Sequence, residues 1–120
     1  MAAIELGGYL EGDRAKYHAC IEACVECMVA CEVCADACLH EENVKMMVRC
    51  IELDRDCADA CAMAARVMSR GHGMVAEVCR MCADACDACA AECEKHEHDH
   101  CRRCAEACRR CAQECRKMAA

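Results

Sequence analysis

The 120-residue sequence has no proline, no phenylalanine and no tryptophan, and only two tyrosines and five glycines. Without proline, nothing local forces a break in a helix. Without large aromatics, whatever is buried must be lined by small side chains. Leu, Ile and Val together number only fifteen, a share that in an ordinary chain marks disorder. No apolar run approaches the ~20 residues of a membrane span. These absences exclude an ordinary oily core and leave the question of what replaces it.

Cysteine does, with 19 residues. A chain of this length has room for one core and is read as one domain. Nineteen thiols in a short chain point either to a secreted disulfide scaffold or to a metal protein, and the compartment decides between them. Met1 to Leu10 carries no basic segment, no twin arginine and no apolar stretch of signal-peptide length. The expectation is therefore a cytoplasmic protein whose disulfides do not persist. An odd number of cysteines also cannot pair completely within one chain.

The cysteines follow a rhythm. Cys20, Cys24, Cys27, Cys31, Cys34 and Cys38 step by four and three in alternation. Cys79, Cys82, Cys86, Cys89 and Cys93 repeat the alternation, as do Cys101, Cys104, Cys108, Cys111 and Cys115. Cys50, Cys57 and Cys61 form a thinner block, with Leu53 read as the missing rung. An average step of 3.5 residues keeps one face of a helix toward a neighbour, whereas strands would require period two. Ala, Glu, Lys, Arg and Met between the cysteines favour helix.

Breaks fall at Leu39 to Asn43, at Arg70 to Gly73 and at Lys95 to His100. The expectation is all-α: an antiparallel, up-down-up-down four-helix bundle with a Cys-lined core. A lead-in occupies residues 1–12 and the bundle residues 13–118, with helices at about 13–39, 43–69, 73–95 and 98–117. From Cys20 to Cys38 such a helix rises roughly 27 Å, so the sulfurs form ladders along the interior rather than one local site.

Neighbouring thiols at i+3 or i+4 have Cβ atoms about 5–6 Å apart, too far for a disulfide, which wants about 3.8 Å. Six C-x-x-C pairs occur, but inside helices and outside any βαβ pattern, which disfavours a thioredoxin-like role. Metal binding remains, and thiolates select Cu(I), Zn or iron–sulfur clusters. Four-thiolate Zn sites would each leave two uncompensated negative charges in this core, whereas one monovalent Cu(I) per thiolate leaves it near neutral. The ferredoxin run C-x2-C-x2-C-x3-C-P is absent. Zinc or general thiol buffering stays open as the alternative, with a thiol redox protein behind it. No unique nucleophile or base marks an enzyme.

The C-x3-C-x2-C-x3-C-x2-C-x3-C run of Cys20 to Cys38 and the two five-Cys runs resemble the bacterial copper storage proteins, and the resemblance covers about Asp13 to Lys117. It implies a four-helix bundle of the cytosolic type that stores many Cu(I) ions, roughly one per Cys, with all nineteen cysteines as ligands. It also implies a tetramer. A second apolar stripe, Ile21, Val25 and Met28 with Val44, Val48 and Ile51, points to a homo-oligomer built through helices one and two. Exchange with a copper chaperone or chelator is a further expectation.

Antiparallel packing brings the first and third connections to one end, which collects His40, Glu41, Met46, Met47, His96, His98 and His100. Imidazole and thioether suit weak capture of copper before transfer to thiolate. His40 with Met46 or Met47 is the preferred uptake group; a solvated loop without a role is the alternative. The opposite end offers Tyr17, Met68, Val75 and Met118 as an apolar plug, and His18 and His72 read as surface residues. Arg102, Arg103, Arg109, Arg110, Arg116 and Lys117 lie off the Cys stripe, and a net charge of -7 gives no case for nucleic acid.

Overall fold

The computed structural model describes residue 6 and residues 8–120. Four α-helices account for most of them: α1 (His18–Leu39), α2 (Val48–Arg70), α3 (Val75–Cys93) and α4 (Asp99–Ala119). Short 3-10 turns at Gly12–Tyr17 and Val44–Met47 lead into α1 and α2. Each helix packs on the next, and α1 also packs on α4, which closes the antiparallel bundle.

Local chemistry sets the ends. Gly71, at φ 76°, terminates α2 in the left-handed conformation, its N–H donating to the Val67 carbonyl at 3.0 Å. The Arg14 side chain crosses the same glycine so closely that a Cβ there would lie 2.5 Å from Arg14 Cγ, so Gly71 serves both turn and packing. At α4, Asp99 in the first turn and Arg116 and Lys117 in the last complement the helix dipole.

All nineteen cysteines are free and buried in one continuous core. Ala35, Ala58, Ala64, Ala83, Ala90, Ala105 and Ala112 fill the space between them, small enough to let the helices approach closely. Leu10, Met68 and Val75 close the end away from the His-bearing connections, with Tyr17 and Met118 packed partly against the same core. On the outer surface Arg109 bridges to Glu94 at 2.7 Å and Asp87 at 3.2 Å, Arg116 reaches Asp84 and Asp87, and Arg110 pairs with Glu26. The arginines outside the Cys stripe thus tie α4 to α3 and α1 through exposed, solvent-screened pairs.

Two details of packing depart from expectation. The missing rung of α2 is not Leu53, which is half-buried at the margin, but Asp54, which is fully buried. Cys50, Asp54, Cys57 and Cys61 step by four, three and four, so the aspartate holds the phase of the thiol stripe. Ile21 belongs to the protomer's own core, while Val25, Met28 and Ile51 are half-buried and Val48 is exposed.

Candidate metal centre

Thiols from all four helices meet across the bundle axis. Near the apolar end, Cys115 Sγ lies 3.7 Å from both Cys20 and Cys24, and Cys111 lies 3.6 Å from Cys24. Midway, Cys27 approaches Cys108 at 3.6 Å and Cys57 at 3.8 Å, and Cys57 approaches Cys86 at 3.6 Å. Farther up, Cys104 lies 3.7 Å from Cys31, and Cys50 lies 3.6 Å from Cys93.

These contacts assemble four-sulfur groups whose members all lie within 4.8 Å of one another. They include Cys24, Cys82, Cys111 and Cys115; Cys27, Cys57, Cys61 and Cys86; Cys27, Cys31, Cys57 and Cys108; Cys31, Cys89, Cys104 and Cys108; and Cys34, Cys38, Cys50 and Cys101. The groups overlap: Cys27 and Cys57 belong to two of them, as do Cys31 and Cys108. Separate four-ligand zinc sites would each need their own sulfurs. Shared corners call for bridging thiolates, which a soft monovalent ion needing few sulfurs can use throughout.

Burial opposes ionisation of metal-free thiols. Cys101 is pushed up to about 12, first by burial and then by the negative charge that Cys50 would place beside it. Cys61 is raised through its hydrogen bond with Cys111, and Cys31 through Cys104. Cys50 is instead lowered to about 3 through its hydrogen bond with Cys34, and Cys27 is lowered through Cys108, so the sulfurs share protons within one network, and a bound cation displaces those that remain.

Asp54 sits inside that network. Its Oδ1 accepts from Cys89 at 3.1 Å, Cys104 at 3.3 Å and Cys93 at 3.6 Å, and its Oδ2 accepts from Cys50 at 3.8 Å. Burial raises the carboxyl to about 11, and negative charge on Cys104 or Cys89 would push the same way. An acidic letter between charged neighbours reads as surface. Only its phase with the cysteines of α2 could have exposed it.

The six His and Met residues singled out at the other end lie in different surroundings. His40 is exposed and lies 3.9 Å from Asp36, and Met46 is exposed as well. Met47 is fully buried, its Sδ approached by the Asn43 amide at 3.9 Å. His96 pairs with Glu92 at 2.8 Å beside a surface groove of about 740 Å³ that Arg102 and Arg109 also line. His98 and His100 stack at 5.2 Å between centroids, and both reach Glu41. His100 also reaches the core, with Nδ1 3.3 Å from Cys34 Sγ and 3.6 Å from Cys101 Sγ.

Helix ends create this arrangement. The N–H groups of His40 and Glu41 fold back onto the carbonyls of Ala37 and Cys38, finishing α1 and bringing Glu41 over the bundle end. His98, in extended conformation, accepts from the N–H groups of Cys101 and Arg102 and opens α4.

Comparison with known proteins follows the same lines. The sequence model of the family described as copper storage protein matches residues 13–120. The uncharacterised cysteine-rich protein YhjQ of Bacillus subtilis is 52% identical over 82 residues, covering 68% of this chain and 76% of the relative. The Cu(I)-bound copper storage protein BsCsp3 of Bacillus subtilis superposes with a TM-score of 0.84 at 50% identity, covering 88% of this chain and 99% of that one. A cytosolic copper storage protein of Streptomyces lividans, holding five coppers, superposes at 0.85 and 46% identity, with 89% and 94% covered. That protein is also seen loaded with 10 copper equivalents. With a family match over nearly its whole length and the thiol-lined bundle in place, this chain belongs to the copper storage protein family.

Proposed function

We propose that this protein stores Cu(I) in bulk, taking up roughly one ion per cysteine through Cys20, Cys24, Cys27, Cys31, Cys34, Cys38, Cys50, Cys57, Cys61, Cys79, Cys82, Cys86, Cys89, Cys93, Cys101, Cys104, Cys108, Cys111 and Cys115. The observation that carries the reading is the run of close sulfur–sulfur approaches between helices along the bundle, with three of the four-sulfur groups sharing corners. Copper-loaded relatives of the same fold support the choice of metal. Every thiol is enclosed among helices, which supports storage rather than catalysis.

Copper is taken up at the end that carries His40, Met46, Met47, His96, His98 and His100, where His100 is in contact with the thiols. The working form is a homotetramer associated through α1 and α2, whose outer faces expose Val29, Val33 and Val48. It acts in the cytoplasm, as the Streptomyces relative is described to do, and exchanges copper with a chaperone or small chelator. No helix among the described residues is long and apolar enough to cross a membrane.

Competition tests the metal. Reduced protein offered Cu(I) and Zn(II) together should take up copper and leave zinc in solution, with melting temperature rising as copper fills the core. Retention of zinc against stoichiometric Cu(I) would overturn the reading in favour of a zinc or general thiol buffer.

A further inference from the structure

The stacked pair at the bundle mouth is organised by one oxygen. Glu41 Oε2 lies 2.7 Å from His100 Nε2 and 3.2 Å from His98 Nδ1. A carboxylate offers only acceptors, so each of those ring nitrogens carries its hydrogen toward Glu41. A neutral imidazole with one nitrogen protonated has its lone pair on the other. In the neutral form this geometry leaves the His100 Nδ1 lone pair toward Cys34 and Cys101 and puts the His98 lone pair on Nε2. His98 is also the more exposed ring, at 32% against 17%.

We propose that Glu41 is a positioning residue for copper uptake: it locks His98 and His100 in opposite tautomers, one lone pair on the outer ring and one aimed at the uppermost thiols. The inference rests on the storage function above and deepens its uptake step. Cys34 and Cys101, which face the inner lone pair, belong to the topmost four-sulfur group. A Cu(I) ion caught by the outer imidazole therefore has its next ligand one stacked ring away and its thiol destination immediately beneath. Carboxylates that orient metal-binding histidines this way typically contribute 10- to 100-fold.

The test has a copper-free arm. Imidazole 15N spectra of the metal-free protein should show His98 and His100 in opposite neutral tautomers; both rings in the same tautomer would overturn the proposal without any variant. In stopped-flow uptake of Cu(I), Glu41→Ala should slow the first phase about tenfold or more at unchanged final capacity, and Glu41→Gln, which keeps an acceptor oxygen, should restore most of the rate. Wild-type kinetics in Glu41→Ala, or equal slowing in both variants, would also overturn it. A wild-type plateau near four ions would instead sink the storage reading, independently of the tautomers.

Discussion

Cys89 donates its thiol hydrogen to Asp54 Oδ1 across 3.1 Å, in the centre of a core otherwise made of sulfur and methyl groups. The carboxyl is raised from its ordinary range to about 11, chiefly by burial. A folded-state value above the unfolded one means the folded protein holds the proton more tightly. Its stabilising contribution is complete below about pH 4 and is lost progressively as pH rises toward 11. Asp54→Asn removes the ionisable group while keeping the shape. Urea denaturation of metal-free protein should show a shallower fall in stability between pH 5 and 9 for Asn than for wild type; parallel slopes would contradict the buried, protonated carboxyl.

Sharing of sulfurs makes capacity depend on position. Cys57 contacts Cys27, Cys61, Cys86 and Cys108 and belongs to two four-sulfur groups. Cys38 hydrogen bonds with Cys34 near the His-bearing end. Cys57→Ala should therefore lower the copper plateau by more than one ion, and Cys38→Ala by about one, as read by metal analysis after desalting. Equal losses would indicate independent sites.

The His100 ring nitrogen lies within hydrogen-bond reach of two thiols while His40 and Met46 are exposed, so His100→Ala should slow Cu(I) uptake more than His40→Ala or Met46→Ala, with little change in capacity. Met47 is fully buried, and truncating it to alanine is expected to destabilise the fold by roughly 2–5 kcal/mol. Stopped-flow traces of the variants, with melting curves alongside, separate a kinetic role from a structural one.

Association through α1 and α2 predicts that charge on their exposed apolar faces dissolves the oligomer. Val29→Glu with Val33→Lys places two charges where the protein exposes valines, at positions outside the thiol core. Sedimentation velocity should shift from tetramer to smaller species while copper capacity per chain is retained. An unchanged tetramer would place the interface elsewhere.

The four helices and the thiol stripe were legible because periodicity is a local property: a repeat of 3.5 residues already says which face is buried. The rung at position 54 was not, since burying a carboxyl runs against its solvation and is permitted only by four thiols contributed by α2, α3 and α4. Leu53, the apolar neighbour, stands one residue off the phase of the stripe. The clustering of histidines at one end followed from antiparallel topology. Which ring meets sulfur depends instead on how α1 finishes at Glu41 and how α4 begins at His98, where His100 precedes Cys101 by one residue.

Whether core and copper store are one surface is read out by anaerobic titration of fully reduced protein with Cu(I) against a chelator of known affinity. Uptake should be tight to a plateau near one ion per cysteine, close to the 19 thiols of the chain. A plateau at four or five ions, the number expected of separate four-thiolate sites, would contradict it.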